Sequence, residues 1–202
     1  MPTYKLTYFP NKGLAEPIRF LFNYANIDFV DVRLKDDEWL QLKPSTLFGQ
    51  IPILEVDGKK INQSTAICRY LAKQFGLTGK NDWENLEIDA TVDTINDLRI
   101  MISTTHRETN PEVKAQKDKA AGIAIPFFMN RLDEQVSVNG GFFVGGKLTW
   151  VDIVFAALLD TLNFRAGFDI IEKKENLKKL VEFVFKQPNI KIWLLKRPRT
   201  DY

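Results

Sequence analysis

Between Gly49 and Leu71 the chain reads Gly-Gln-Ile-Pro-Ile-Leu-Glu-Val-Asp-Gly-Lys-Lys-Ile-Asn-Gln-Ser-Thr-Ala-Ile-Cys-Arg-Tyr-Leu, and no other stretch constrains the fold as much. Ile53, Leu54 and Val56 form a short apolar run that ends at Asp57-Gly58, a pair that favours a tight hairpin because glycine accepts positive φ without steric cost. Two antiparallel strands are expected there. The second gives way to Gln63-Ser64, where Ser64 stands as the expected N-cap of a helix with apolar Ile67, Tyr70 and Leu71 at helical spacing. The unpaired amides and positive dipole end of such a helix suit a carboxylate. Pro52 precedes the first strand, removes one amide from the ladder, and leaves backbone that an extended peptide can pair with; a cis Ile51-Pro52 bond suits that geometry. Taken singly, Pro52 reads as a strand start and Ser64 as a cap. Together they suggest a small peptide ligand.

The flanking pattern places this unit in a domain. Lys5–Phe9 reads as a strand, Ala15–Ala25 as a helix and Phe29–Arg33 as a strand, followed by the hairpin and its helix. That order, βαβ then ββα, makes the first two strands parallel through a right-handed crossover and adds the hairpin antiparallel. A thioredoxin-like α/β domain over residues 1–76 fits. The polar stretch 77–82, with Gly79, reads as a linker, and residues 83–202 read as an all-helical domain. Its helices are expected around Leu86, Ala90 and Asp93–Leu98, over Ile123–Val136, over the strongly apolar Val151–Leu162, and over Leu177–Phe185. Thr149-Trp-Val-Asp152 has the form of a capping box, which makes Asp152 a folding residue.

Composition removes several classes of function. With 28 basic and 26 acidic side chains the net charge is only +2 and spread along the chain, which argues against nucleic acid as a partner. No apolar run approaches the roughly 18 residues that span a membrane, and the first residues form neither signal nor transit peptide, so a cytoplasmic protein is expected. One cysteine, Cys68, and one histidine, His106, leave too few ligands for a zinc site. Cys68 falls on the apolar face of its helix and reads as buried filler; His106 has no triad partner and reads as an ordinary helix residue.

The opening Tyr4-Lys-Leu-Thr-Tyr-Phe-Pro-Asn-Lys-Gly-Leu-Ala-Glu-Pro-Ile-Arg19, then Trp39, Lys43, the Gln-Ile-Pro run and Gln63-Ser64 resemble the glutathione transferases, most closely their sigma class. The resemblance continues through Val92-Asp-Thr-Ile-Asn-Asp97, Lys147-Leu-Thr-Trp-Val-Asp152 and Lys196-Arg-Pro-Arg-Thr200, and so covers the whole chain. It implies the two-domain fold read above, glutathione as co-substrate, no metal, and a homodimer. A glutathione thiol has a pKa near the free-cysteine value of about 8.5, so the enzyme must stabilise the anion. A phenol can do so by donating a hydrogen bond, since its own pKa of about 10 keeps it protonated. Tyr8 ends the first strand, where ligands gather; Tyr4 sits at the start. Strand position alone also fits a rim tyrosine bonded to backbone, and it is the resemblance that marks Tyr8 as catalytic.

The resemblance places the other ligands one by one. Trp39 and Lys43 match the pair that meets the glycine end of glutathione; Ile51 before Pro52 matches the residue whose backbone pairs with the cysteinyl part; Gln50 matches a neighbouring polar contact. Gln63 and Ser64 match the residues that hold the γ-glutamyl end, Leu14 and Pro52 are also expected among the glutathione contacts, and Asp97 matches an acid that reaches the neighbouring subunit's γ-glutamyl amine. The electrophile pocket is expected to be lined by Phe9, Asn11, Gly13, Leu14 and residues from Arg99 to His106, Ser103 among them. Two positions depart from the vertebrate pattern. Leu14 replaces an arginine of the sigma-class prostaglandin D synthases, and Asn96 replaces an acid of a cluster, with Asp93 and Asp97, that resembles a divalent-ion site. Conjugation of hydrophobic electrophiles such as xenobiotics or lipid peroxidation products therefore leads; a prostaglandin-H to prostaglandin-D isomerase and a non-catalytic binding or structural relative are the alternatives.

Overall fold

The computed structural model describes residues 2–200. Strand β1 (Tyr4–Tyr8) leads through a single 3-10 turn (Gly13–Ala15) into helix α1 (Glu16–Tyr24), strand β2 (Val30–Arg33), helix α2 (Asp36–Leu42) and a second 3-10 turn (Lys43–Ser45). Strands β3 (Ile53–Val56) and β4 (Lys59–Asn62) and helix α3 (Ser64–Gln74) follow, then five more helices: α4 (Asp82–His106), α5 (Pro111–Val138), α6 (Trp150–Ala166), α7 (Glu175–Phe185) and α8 (Pro188–Lys196).

The sheet order is β2-β1-β3-β4, with β1 parallel to β2 and the other pairs antiparallel, as the element order predicts. Register puts Leu6 opposite Leu54 and Tyr4 opposite Val56, so one face of the sheet carries Tyr4, Leu6, Tyr8 and Leu54 into the core. That face packs against Ile18, Leu21 and Phe22 of α1 and Ile67, Cys68 and Leu71 of α3, all buried. Tyr4 rests on Phe22, with ring centroids 5.0 Å apart. Cys68 is 2 % exposed and burial pushes its thiol far above the ordinary cysteine range, so it is inert filler.

Three expectations are corrected. Helix α3 begins at Ser64, so the cap position belongs to Gln63. Strand β3 is paired on both sides, and the backbone left free by Pro52 lies only before the strand, not along it. In α4 the buried stripe is Ile88, Val92, Ile95, Leu98 and Ile102, while Leu86 and Ala90 lie on the exposed face. Both α2 and α8 are additional to the expected elements, and α4 and α5 are far longer than the apolar period alone indicates, at 25 and 28 residues.

Helix α6 is buried from Trp150 through Leu159 and forms the centre of the helical half. Its start is fixed by the expected capping box: Asp152 Oδ2 accepts from the Thr149 amide at 2.7 Å and from the Thr149 hydroxyl at 3.0 Å. Asp152 Oδ1 also accepts from the Phe143 amide at 2.9 Å, which ties the preceding loop to the helix. The two halves are joined at a buried carboxylate. Glu16, 1 % exposed in α1, accepts from Trp193 Nε1 of α8 at 2.8 Å and from Arg197 Nη1 at 3.1 Å. Among the described residues no helix is long and apolar enough to cross a membrane.

Candidate active site

Strand β1 delivers Tyr8 to the carboxyl end of the sheet, where its ring is 8 % exposed. The chain then turns back through Asn11, Lys12 and Gly13, bringing the Leu14 amide to 3.2 Å from the Tyr8 hydroxyl, to which it donates. That bond occupies a lone pair on the phenol oxygen. Among the described residues the phenolic proton has no protein acceptor, so it can be given to a ligand. Burial raises the Tyr8 pKa, opposed by the Leu14 amide and by the charges of Arg165, Arg19 and Arg99. The group is therefore a neutral donor at physiological pH and not a phenolate.

Two features hold this turn. Gly13 has φ +43, and a β-carbon placed on it would lie 2.7 Å from the Tyr8 hydroxyl oxygen. Gly13→Ala should therefore displace the phenol, lowering turnover about fivefold or more and stability by about 1 kcal/mol. Steady-state kinetics beside thermal unfolding checks both effects. Arg19 is fully buried: its Nη1 donates to the Asn11 carbonyl at 2.8 Å and to Glu16 at 3.2 Å, and its Nε donates to Asp31 at 3.2 Å. It thus fastens the turn to α1 and β2 at once.

A cleft of about 470 Å³ beside this turn is lined by Phe9, Leu14, Trp39, Lys43, Gly49, Gln50, Ile51, Pro52, Gln63 and Ser64. All eight residues named from the sequence for one subunit's glutathione contacts, apart from Tyr8 itself, meet there. Helix α2 contributes Trp39, whose ring stands edge-on to Phe9 at 5.9 Å, and Phe9 in turn stands edge-on to Tyr8 at 5.5 Å. Lys43 opens the 3-10 turn after α2 and is exposed. The Ile51–Pro52 bond is cis. Gln63 adopts φ +75, ψ +95, a conformation that costs a non-glycine residue about 1–3 kcal/mol and that concentrates at ligand sites. Its side chain faces Gln50, with Nε2 to Oε1 at 3.5 Å.

A second cleft, of about 540 Å³, shares Phe9 with the first and is lined by Tyr8, Pro10, Asn11, Asp36, His106, Arg107 and Arg165. Phe9 and Asn11 were named from the sequence for this region; Leu14, named for both regions, lines the first cleft and not this one. Gly13 lies behind Tyr8. Ser103 is 2 % exposed and acts through a bond from Arg165 Nη1 at 2.6 Å, while Arg99 donates to Asn96 Oδ1 at 3.1 Å. Asp97 lines neither cleft and points outward from α4.

A profile described as "Glutathione S-transferase, N-terminal domain" matches residues 4–73, and one described as "Glutathione S-transferase, C-terminal domain" matches residues 96–197. The chain belongs to the glutathione S-transferase family. It is 46 % identical over 202 residues to a glutathione S-transferase of Anopheles gambiae, covering 100 % of both chains. It is 40 % identical over 201 residues to the hematopoietic prostaglandin D synthase of Gallus gallus, covering 99 % of each. The solved structure of a prostaglandin synthase D of Nilaparvata lugens superposes with a TM-score of 0.93 at 43 % identity, over 98 % of this chain and 100 % of that one. The chain is accordingly an enzyme of the glutathione transferase type, with the family's mixed four-stranded sheet and helical domain.

For a transferase, the residues that sequence reasoning missed are instructive. Arg107 lies one position beyond the stretch expected to line the electrophile side, and Arg165 lies three beyond the expected end of α6. Asp36 lies on α2, a helix without an apolar face. Arg19 reads as a helix-surface charge until the fold closes over it. Only the Glu16–Arg19 spacing, one helical turn, signals that pair.

Proposed function

We propose that this transferase conjugates the glutathione thiolate to hydrophobic electrophiles, with Tyr8 donating the hydrogen bond that holds the sulfur anion. The observation that carries this reading is the Tyr8 hydroxyl itself: buried, neutral, fixed by the Leu14 amide through its lone pair, and set where the two clefts meet. In this reading residues 1–76 hold the peptide and residues 83–202 supply most of the second cleft. The glycine carboxylate of glutathione meets Trp39 and Lys43, the cysteinyl backbone pairs at Ile51 before Pro52 with Gln50 alongside, and the γ-glutamyl carboxylate sits on Gln63 and the Ser64 amide at the start of α3. The thiol proton passes to solvent. The thiolate then displaces a halide from an activated aryl ring or adds to an enal, whose carbanion takes a proton from water. Assay of an aryl halide and an enal with and without glutathione tests the proposal, and absence of any glutathione-dependent product would sink it.

The sigma class and a cytoplasmic location go with this reading. So does a homodimer. Helix α4 presents Leu86, Ala90, Asp93, Asp97 and Ile100 as one exposed stripe at helical spacing, an apolar strip with two acids in it. Asp97, outside both clefts of its own chain, is then available to the partner subunit's γ-glutamyl amine. Asp97→Ala should raise the glutathione KM about 3- to 10-fold with kcat little changed. An active species that sediments only as a monomer at micromolar concentration would overturn the cross-subunit role.

The second reading, a glutathione-dependent prostaglandin-H to prostaglandin-D isomerase, is favoured by the similarity to the prostaglandin D synthase of Gallus gallus and the prostaglandin synthase D of Nilaparvata lugens. Against it stand Leu14 and Asn96. Asn96 donates to Thr65 Oγ1 at 3.1 Å and accepts from Arg99, so it is engaged inside the chain. Each subunit then brings two carboxylates, Asp93 and Asp97, to a shared cation site, while hard cations need several oxygen ligands. Millimolar magnesium or calcium should change the glutathione KM by less than about twofold. Efficient endoperoxide isomerisation that depends on the metal would promote the isomerase.

A further inference from the structure

We propose that the face of the sheet turned away from the core carries a second ligand site, separate from the glutathione cleft, that takes a small apolar carboxylate. Alternation along the strands turns Thr7, Val32, Ile53 and Asn62 to this face, opposite to Tyr4, Leu6, Tyr8 and Leu54. Register sets those four side by side across the whole sheet, and Lys5, Glu55 and Lys60 form the row beside them. Helix α2 and the 3-10 turn after it lie over this face without closing on it. No residue of α2 is fully buried, and a cavity of about 330 Å³ remains, walled by Leu42, Ser45, Thr46 and Leu47 on one side and by Leu34 and the two rows on the other. Cavities that hold small molecules begin at about this size.

Two observations point to a ligand and to its chemistry. The first is Asn62, which lines the cavity at 4 % exposure with its Nδ2 lacking any hydrogen-bond partner among the described residues. A buried amide donor left unpaired is costly, and an acceptor placed in the cavity satisfies it. The second is charge. Glu55, the carboxylate among the lining residues, is paired with Lys5 at 2.9 Å. Lys60 stands across the strand pair from Glu55 and two positions before Asn62 on the same face, and among the described residues it has no ion-pair partner. The β4 edge of the cavity thus holds an unmatched cation beside an unmatched donor. A carboxylate set there accepts from Asn62 Nδ2 and faces the Lys60 ammonium.

The rest of the molecule runs from that edge over Ile53 toward Val32, Leu34 and Leu42, an apolar floor and cover. The row from Asn62 to Val32 crosses four strands, roughly 14 Å at the usual strand spacing, which suits an acyl chain of medium length. The sheet itself separates this site from the catalytic side. Thr7 and Tyr8 are adjacent and point to opposite faces, and the cavity shares no lining residue with either cleft described above. No bond is made or broken: the ligand binds and leaves unchanged.

Titration calorimetry of the whole protein with decanoate and with decanol, each in the presence of saturating glutathione, tests the site. Decanoate should bind about tenfold or more tightly than decanol, the effect of one charge-assisted bond. Asn62→Leu removes a donor that has no partner in the protein, and it should weaken decanoate about 10- to 100-fold while decanol stays within about twofold. Lys60→Gln, at an exposed position, should weaken decanoate severalfold, and it keeps the test open should Asn62→Leu unfold. An unchanged thermal midpoint in each variant shows that the fold is intact. Tyr8→Phe should leave decanoate affinity as it is. Absence of decanoate binding would overturn the inference, and so would equal affinity for decanol, which would reduce the cavity to an unselective apolar gap. Binding that glutathione abolishes, or that survives both variants, would place the ligand elsewhere and overturn it as well. None of these readouts requires turnover, so the site stands or falls apart from the transferase reading.

Discussion

Replacing Tyr8 with phenylalanine is expected to lower conjugation turnover by about 10- to 100-fold while the glutathione KM stays near its wild-type value. The hydroxyl makes one bond inside the protein, accepting from the Leu14 amide at 3.2 Å, so its removal costs the fold little. What is lost is the donor to the sulfur. One hydrogen bond to an anion is worth roughly 1.5–3 kcal/mol, or about one to two pKa units on the bound thiol. The variant's pH–rate profile should therefore move to higher pH by that amount, and the ultraviolet absorbance of the thiolate should titrate with it. Such a displacement separates a lost donor from general damage, because a misplaced site would lower the rate without moving its pH dependence. Full activity in the variant would remove Tyr8 from the mechanism.

Asp152→Ala should have the largest effect on stability, about 3–5 kcal/mol, because it leaves the amides of Phe143 and Thr149 and the Thr149 hydroxyl without their acceptor in a fully buried site. Poor expression or early urea unfolding is the expected phenotype. Asp152→Asn separates shape from charge. Burial raises the Asp152 pKa to about 6 against the pull of the Phe143 and Thr149 bonds, above its ordinary 3.8. The sign follows from which state holds the proton more tightly. Above pH 6 the folded protein must keep a buried charge, which costs stability; as pH falls from about 6 toward 4 the folded state takes up a proton before the unfolded chain does, and stability rises. The asparagine variant has no such proton to bind. The stability of wild type relative to Asp152→Asn should accordingly rise between pH 7 and pH 5, and a difference that stays constant over that interval would show that the carboxylate is charged throughout.

Asp152 was legible because its capping partner lies three residues away. The hairpin, the parallel crossover and the apolar α6 were legible for the same reason: each is specified by neighbours in sequence. Helix α2 was not. None of its residues, Asp-Asp-Glu-Trp-Leu-Gln-Leu, is fully buried, and its start is secured by Glu38 reaching back to the Lys35 amide at 2.7 Å, with no serine or threonine to announce it. Helix α5 extends back to Pro111 on a cap from Asn110 through a charged segment that has no apolar period. In the candidate site, the residues named for glutathione within one subunit lie in the first 64 positions, where a motif brings them to notice. The left-handed backbone of Gln63 could not be read there, because tertiary packing alone holds a non-glycine residue in it. The second cleft's lining could not either: Arg107 and Arg165 stand at the ends of helices separated by α5, and their meeting is a product of how α4 packs on α6.

The bond from Trp193 to Glu16 spans 177 positions, and the one from Arg197 spans 181. During synthesis the strand that carries Tyr8 and the helix that follows it leave the ribosome long before α8 exists. Until then the Glu16 carboxylate faces Arg19 with its other oxygen unsatisfied, and the nascent first domain has an open seam where α8 will lie. The helix that follows the Tyr8 turn thus gains these partners only after residues 177 and 181 positions further on have been made. Chains cut short before Trp193 would lack that closure and leave the Glu16 face of α1 exposed, the kind of surface that makes incomplete chains aggregate.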